Sequence, residues 1–181
     1  MKKTVNLVPF GLIQDQIRFH VDVQVETKGS EISLEYSCIG DLTTLLMPDK
    51  KKEPIRSDYL WEHTCFEAFI AIGKNTSYWE LNVSPSGDWN LYRFTDYRNG
   101  QEREDAIIAI SSHLFIKAKN RFKLEVKLDL NSILKKDSLN NLQLGLTAVI
   151  EEKDHLKTYW ALRHCGKQAD FHIRDSFILE L

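Results

Sequence analysis

An antiparallel β-sandwich is the fold this 181-residue chain predicts, and three observations carry it. Apolar residues recur with period two over much of the length, the separating turns are short, and no segment sustains a helical period. So many strands with so few helices call for two packed sheets, of the jelly-roll or immunoglobulin-like kind.

In chain order, Ile17, Phe19, Val21, Val23 and Val25 alternate with Arg18, His20, Asp22, Gln24 and Glu26, the pattern of a half-buried strand. Lys28, Gly29 and Ser30 supply a turn, and Ile32, Leu34, Tyr36 and Cys38 continue the alternation, so the two segments form a hairpin. Further strands are expected at 66–72, 78–84, 89–94 and 114–118. Phe122, Leu124, Val126, Leu128 and Leu130 give the strongest alternation of all, and Leu142, Leu144, Leu146, Ala148 and Ile150 repeat it. Between those two strands, residues 131–141 have room for a short helical turn at most. Strands at 159–163 and 177–181 complete the set.

Composition narrows the function classes. With 24 Lys and Arg against 26 Asp and Glu, the formal charge is −2, and the longest basic run is Lys50–Lys51–Lys52. Phosphate-driven nucleic-acid binding is not expected. The amino-terminal apolar stretch is interrupted by Asn6, Pro9, Gly11, Gln14 and Asp15, so no export signal is read, and no window has the roughly 18 apolar residues of a membrane span. Three cysteines, Cys38, Cys65 and Cys165, are too few for a disulfide framework and suit a reducing compartment, with the cytoplasm as the default. The length suits one domain over residues 1–181.

Residues 60–100 hold three of the four tryptophans together with polar residues inside apparent strands. If Ser86 and Gly87 make a two-residue turn, Glu80 falls opposite Arg93, Asn82 opposite Leu91 and Ser84 opposite Trp89. Trp79, Leu81 and Val83 would then share the core side with Phe94, Tyr92 and Asn90. Glu67 lies in CFEAFIAI, apolar on both faces, and a buried carboxylate there needs a partner, for which Arg93 is the expected candidate. Glu67, Glu80, Asn82 and Arg93 read either as a polar ligand floor or as an inter-strand hydrogen-bond network. Trp61 and Trp160, where strands meet loops, are candidate plates for a sugar ring or another flat ligand, or core residues.

The motifs LWEHTCFEAFI, YWELNVSPSGDWNLYRFTDYRNG, and YWALRH followed by ADFHIRDSFILEL together resemble the bacterial DOMON-like proteins, relatives of the family 9 carbohydrate-binding modules. That resemblance covers about residues 55–181 and implies a β-sandwich that binds sugars or haem; it does not imply catalysis, and no enzyme is expected. It implies two tryptophans about a terminal sugar, with Trp61 similar to the first and Trp160 the candidate for the second. Glu67 and Arg93 then resemble the glutamate and arginine that hydrogen-bond the sugar hydroxyls. The expected site is thus Trp61, Glu67, Glu80, Asn82, Arg93, Trp160 and His172, taking a small polar ligand, most plausibly a saccharide, with no cofactor and no metal.

Haem, zinc and enzymatic chemistries are also open to this chain. Haem would need axial ligands such as His164 and His172, and zinc would draw on His63, Cys65, His164, Cys165 or His172 without a recognisable ligand spacing. A glycosidase would pair Glu62 or Glu80 with Glu67, and a nucleophilic set would join Cys165, His172 and Asp170. A protein-interaction scaffold using the polar face is the alternative without a small ligand. Asp170, His172 and Asp175 also suit the ordering of the last hairpin or the closing of one end of the pocket.

Overall fold

The structure, a computed structural model, describes residues 2–118, 120–134 and 141–181. Its strands are β1 (Lys2–Pro9), β2 (Phe19–Lys28), β3 (Glu31–Gly40), β4 (Cys65–Ile72), β5 (Tyr78–Val83), β6 (Trp89–Phe94), β7 (Glu102–Arg103), β8 (Ser111–Ala118), β9 (Arg121–Asp129), β10 (Leu142–Glu151), β11 (Lys157–Ala161) and β12 (Leu179–Glu180). Every ladder is antiparallel, and the hydrogen-bonded order is β7-β6-β5-β4-β10-β11-β1-β2-β3-β9-β8, with β12 beside β10. The fold class is the all-β one the alternation predicts. No helix among the described residues is long and apolar enough to cross a membrane.

This path curls into two layers. Strand β1 makes the join: Lys2–Leu7 pair with β2, whereas Val8 and Pro9 pair with β11. The alternating face of β2, β3 and β9 then meets Phe66, Ala68 and Ile70 of β4, Leu81 and Val83 of β5, and Leu144, Leu146 and Ala148 of β10 in one core. Phe66 fixes the contact between layers, 5.1 Å from the Tyr36 ring and stacked on Phe122 at 5.5 Å. The Tyr36 hydroxyl, sealed in this core, donates to the Glu67 carbonyl at 2.6 Å, which removes the cost of an unpaired buried hydroxyl.

The other face of the β4–β6 and β10 layer is also covered. Phe69, Ala71, Tyr78, Tyr92, Phe94 and Val149 form a second apolar cluster with Phe171 and Phe177 from the segment that follows β11. Arg174 fastens that segment: its guanidinium donates to the Gly73 carbonyl at 2.7 Å, the Asn75 carbonyl at 3.0 Å and the Gln143 side chain at 3.0 Å, and lies over the Phe177 ring. Gly145 leaves room for that ring, since a Cβ there would sit 2.7 Å from Phe177 Cδ1.

Three expectations change. The first residues, read only for an export signal, form β1, in which Val5 and Leu7 alternate with Thr4 and Asn6. The β5–β6 connection is longer than a two-residue turn: Gly87 N–H donates to the Ser84 carbonyl and Ser84 N–H to the Asp88 carbonyl. Gly87 has φ +94°, and Pro54 closes on the place a Cβ would occupy. The register therefore moves by one, giving Glu80 opposite Tyr92, Asn82 opposite Asn90 and Trp79 opposite Arg93. A one-residue slip exchanges the faces, so Asn90, Tyr92 and Phe94 join Glu80 and Asn82, away from Trp79. Of the connection after β9, Asn131–Leu134 is a turn, and residues 135–140 lie outside the described residues.

Candidate functional site

The second face carries a cleft of about 390 Å³, within the range of small-molecule sites. Its floor follows from strand alternation: Glu67 and Phe69 of β4, Glu80 of β5, Phe94 of β6, Val149 of β10 and Tyr159 of β11 all point into it. Three loops supply the rim, with Trp61 and Glu62 from a 3-10 turn, Arg98 and Gln101 after β6, and Ala169, Phe171 and His172 after β11.

The floor is polar at its deepest points. Glu67 and Glu80 are only 2% and 5% exposed. Thr147 donates its hydroxyl to Glu67 Oε2 at 2.8 Å, and Asn82 donates its amide to Glu80 Oε1 at 2.9 Å. Burial pushes both carboxyls well above the usual carboxylate range, and for Glu67 the neighbouring Glu80 adds to the effect.

The rim is tied together through one hydroxyl. Tyr78 accepts the Arg98 backbone N–H at 3.2 Å and lies 2.7 Å from His172 Nδ1. Burial, with Arg98 nearby, lowers His172 to about 4, so its imidazole is neutral near pH 7. Tyr78 then donates to Nδ1, and the ring proton stays on Nε2, 3.9 Å from Glu80 Oε2. Asp170 ties the segment after β11 to the loop after β6, accepting Tyr97 Oη at 2.5 Å and Arg98 Nη2 at 3.0 Å. Trp61 stands edge-on to Tyr92 at 5.8 Å and to Tyr59 at 5.6 Å. Tyr59, 63% exposed, holds φ +60°, an uncommon conformation for a bulky side chain.

Of the expected site residues, Trp61, Glu67, Glu80 and His172 line this cleft, and Asn82 lies beneath it as the partner of Glu80. Arg93 does not reach it; the shifted register turns its side chain away from Glu80, and it pairs with Glu102 at 2.7 Å. Trp160 does not reach it either, being 1% exposed in the core with its ring 4.9 Å from Phe19. Adjacent strand residues point oppositely, so where Trp160 enters the core Tyr159 faces the cleft. The basic group at the rim is Arg98, in a DYRNG turn where it holds φ +49°. Turn chemistry in that motif was the one available signal for it; Phe171 and Gln101 had none.

The groups considered for other chemistries are spread apart or engaged. His164 Nε2 lies 2.9 Å from the Val8 carbonyl, while His172 Nδ1 is held by Tyr78, so neither offers that nitrogen to an iron. His63 and His155 each put Nδ1 2.8 Å from a Glu151 oxygen. Cys65 is buried and Cys165 exposed, and among the described residues no group of three or more His, Cys, Asp and Glu is placed to hold a metal. Asp170 accepts the backbone N–H of His172, not its ring N–H, so these two do not form the base and orienter of a nucleophilic set.

The fold has likenesses among solved structures. A Bacteroides uniformis protein provisionally designated carbohydrate-binding superposes with a TM-score of 0.72 at 12% identity, over 97% of this chain and 84% of that one. A family 9 carbohydrate-binding module from Caldicellulosiruptor kristjanssonii, in complex with cellotriose, superposes with a TM-score of 0.54 at 8% identity, over 88% of this chain and 72% of that one. At such identities the likeness is one of fold. No protein-family profile matches the chain, and no curated protein matches it in sequence.

Proposed function

We propose that this chain binds a saccharide without catalysing its turnover, in the cleft between Trp61, Arg98 and His172. The observation that carries the reading is the pairing of aromatic walls with a deep polar floor in one cavity. Trp61 and Tyr159 offer faces for the apolar side of a sugar ring, while Glu67, Glu80 and the Arg98 guanidinium offer hydrogen bonds that fix its orientation. Arg98 takes the part that the family resemblance gives to an arginine, and Tyr159 replaces Trp160 as the second ring. The relation to DOMON-like proteins, a single binding domain over residues 1–181 and a cytoplasmic setting belong to the same proposal. The fold of two proteins named for carbohydrate binding supports it.

The test is titration of a glycan panel by calorimetry and tryptophan fluorescence. A saturable response is expected for at least one saccharide and is expected to vanish in Trp61→Ala, with the thermal midpoint little changed. Silence across the panel, or binding untouched in Trp61→Ala, overturns the proposal.

A further inference from the structure

Glu67 and Glu80 are diagonal neighbours on one face of β4 and β5, because Glu67 sits opposite Asn82 and Glu80 precedes Asn82 by two residues. Such neighbours are about 7–8 Å apart at the backbone, within reach of long side chains. Each carboxyl is anchored by one oxygen, Glu67 Oε2 by Thr147 and Glu80 Oε1 by Asn82. Those bonds use one oxygen of each carboxyl and leave Glu67 Oε1 and Glu80 Oε2 for the cleft that both side chains line.

The surroundings supply little positive charge to the pair. Strand β10 presents Thr147 and Val149; Glu151, farther along the same face, is turned to His63 and His155. Cys65 on β4 and Asn90 and Tyr92 on β6 are neutral neighbours on that face. The turn at 60–62 adds Glu62, β11 adds Lys157 at the rim, and Arg98 is already paired with Asp170. The one basic group within 4 Å is His172, with Nε2 3.9 Å from Glu80 Oε2, and it is neutral. Arg98 still acts on Glu80 from the rim, but its charge is shared with Asp170, so the two buried carboxyls hold on to protons and gain most from a ligand that brings a cation between them. A metal ion would want more ligands than this pair supplies. An ammonium has three N–H donors for the two open oxygens, and Trp61 beside it favours a cation as well as a ring.

We propose that the Glu67–Glu80 pair makes the cleft selective for a ligand carrying a primary ammonium, and, among saccharides, for hexosamines with a free amino group. This rests on the saccharide reading above. On binding, the ammonium replaces the proton held by the pair, which leaves for solvent, so association is linked to proton release.

Chitosan tetramer, chitin tetramer and cellotetraose differ at the sugar 2-position as ammonium, acetamide and hydroxyl, and calorimetry on this series in two buffers of unlike ionisation enthalpy tests the proposal. The chitosan tetramer is expected to bind about tenfold tighter than either neutral oligomer, as charge-assisted hydrogen bonds are roughly twice as strong as neutral ones. About one proton should be released per molecule bound at pH 6, and none for cellotetraose. Glu67→Gln and Glu80→Gln should abolish both the preference and the proton release; circular dichroism checks that they fold. Equal affinity across the series, no proton release, or a preference unchanged in both variants overturns the amine assignment and leaves the saccharide reading standing. Binding of none of the three overturns both.

Discussion

Strands β2 and β4 contribute to the same core yet carry opposite sequence patterns. In β2, Phe19, Val21, Val23 and Val25 are buried, while His20 and Glu26 face water. In β4, every residue from Cys65 to Ala71 is buried, including Glu67. Alternation records water on one face of a sheet, and its loss records a second cover. Here that cover is the returning segment with Phe171, His172 and Phe177, and the cleft lies where it does not close completely. A carboxylate inside an unalternating strand is thus the mark of the covered face that carries the cleft.

The contrast can be broken most severely at the inner face. Phe66→Ala removes the ring stacked between Tyr36 and Phe122 and is expected to cost about 3–5 kcal/mol in urea unfolding. A smaller loss would mean that the layers are less interlocked than their ring contacts imply.

On the cleft face the contrast is electrostatic. Glu67 and Glu80 are raised to about 8 and about 7, so the native state holds protons that the unfolded chain releases near its ordinary 4.5. Their contribution is present below the unfolded value and is lost as pH rises through the folded one. His172, lowered to about 4 from 6.5, acts oppositely: its contribution is full above 6.5 and is lost as pH falls toward 4. Stability should therefore decline between pH 6.5 and about 8. Glu67→Gln should gain on the unmodified chain over that range, by a kcal/mol or more in order of magnitude. Thermal melts from pH 5 to 9 check this; parallel curves for the two proteins would show that Glu67 ionises as an ordinary carboxyl.

Tyr78→Phe separates the rim from the floor. It leaves the Arg98 N–H and His172 Nδ1 without their shared partner and should cost about 1–2 kcal/mol. Hydrogen exchange should quicken at the Arg98 amide first, and no change there would dissociate the hydroxyl from loop order. The smallest effect belongs to the wet face of the other layer. Glu35→Ala, which removes the partner of Lys123 on β3 and β9, should shift stability by less than about 1 kcal/mol in the same urea assay. A larger shift would show that this face carries more than solvation.

Legibility followed the same divide. The strands of the alternating layer could be read directly, because Val21, Val23 and Val25 or Leu124, Val126 and Leu128 leave one choice of inward face. Existence of β4, β5 and β6 was also readable, as was the facing of β5, but the facing of β6 was not, since it hangs on the Ser84–Asp88 turn and a one-residue error reverses it. Arg93 is the product of that difficulty, turned away from a cleft whose rim carries Arg98, whereas on β11 it is alternation that puts Trp160 in the core and Tyr159 in the cleft. Glu67 was readable because a carboxylate in an apolar run needs a reason. Arg98, Gln101 and Phe171 reach the cleft through loop geometry that no periodicity encodes.

Strand β1 bears on how the molecule forms. Leu7 ends its pairing with β2, a neighbour in sequence, while Val8 must wait for Ala161 near the far end of the chain. Strand β1 is consequently among the last of these strands to be completed, because its outer end has no partner until β11 is in place. Closing that junction joins Val8 to Ala161, the kind of long-range pairing that slows folding. Refolding should therefore show the β2–β3 hairpin protected early and the Val8–Pro9 junction protected late.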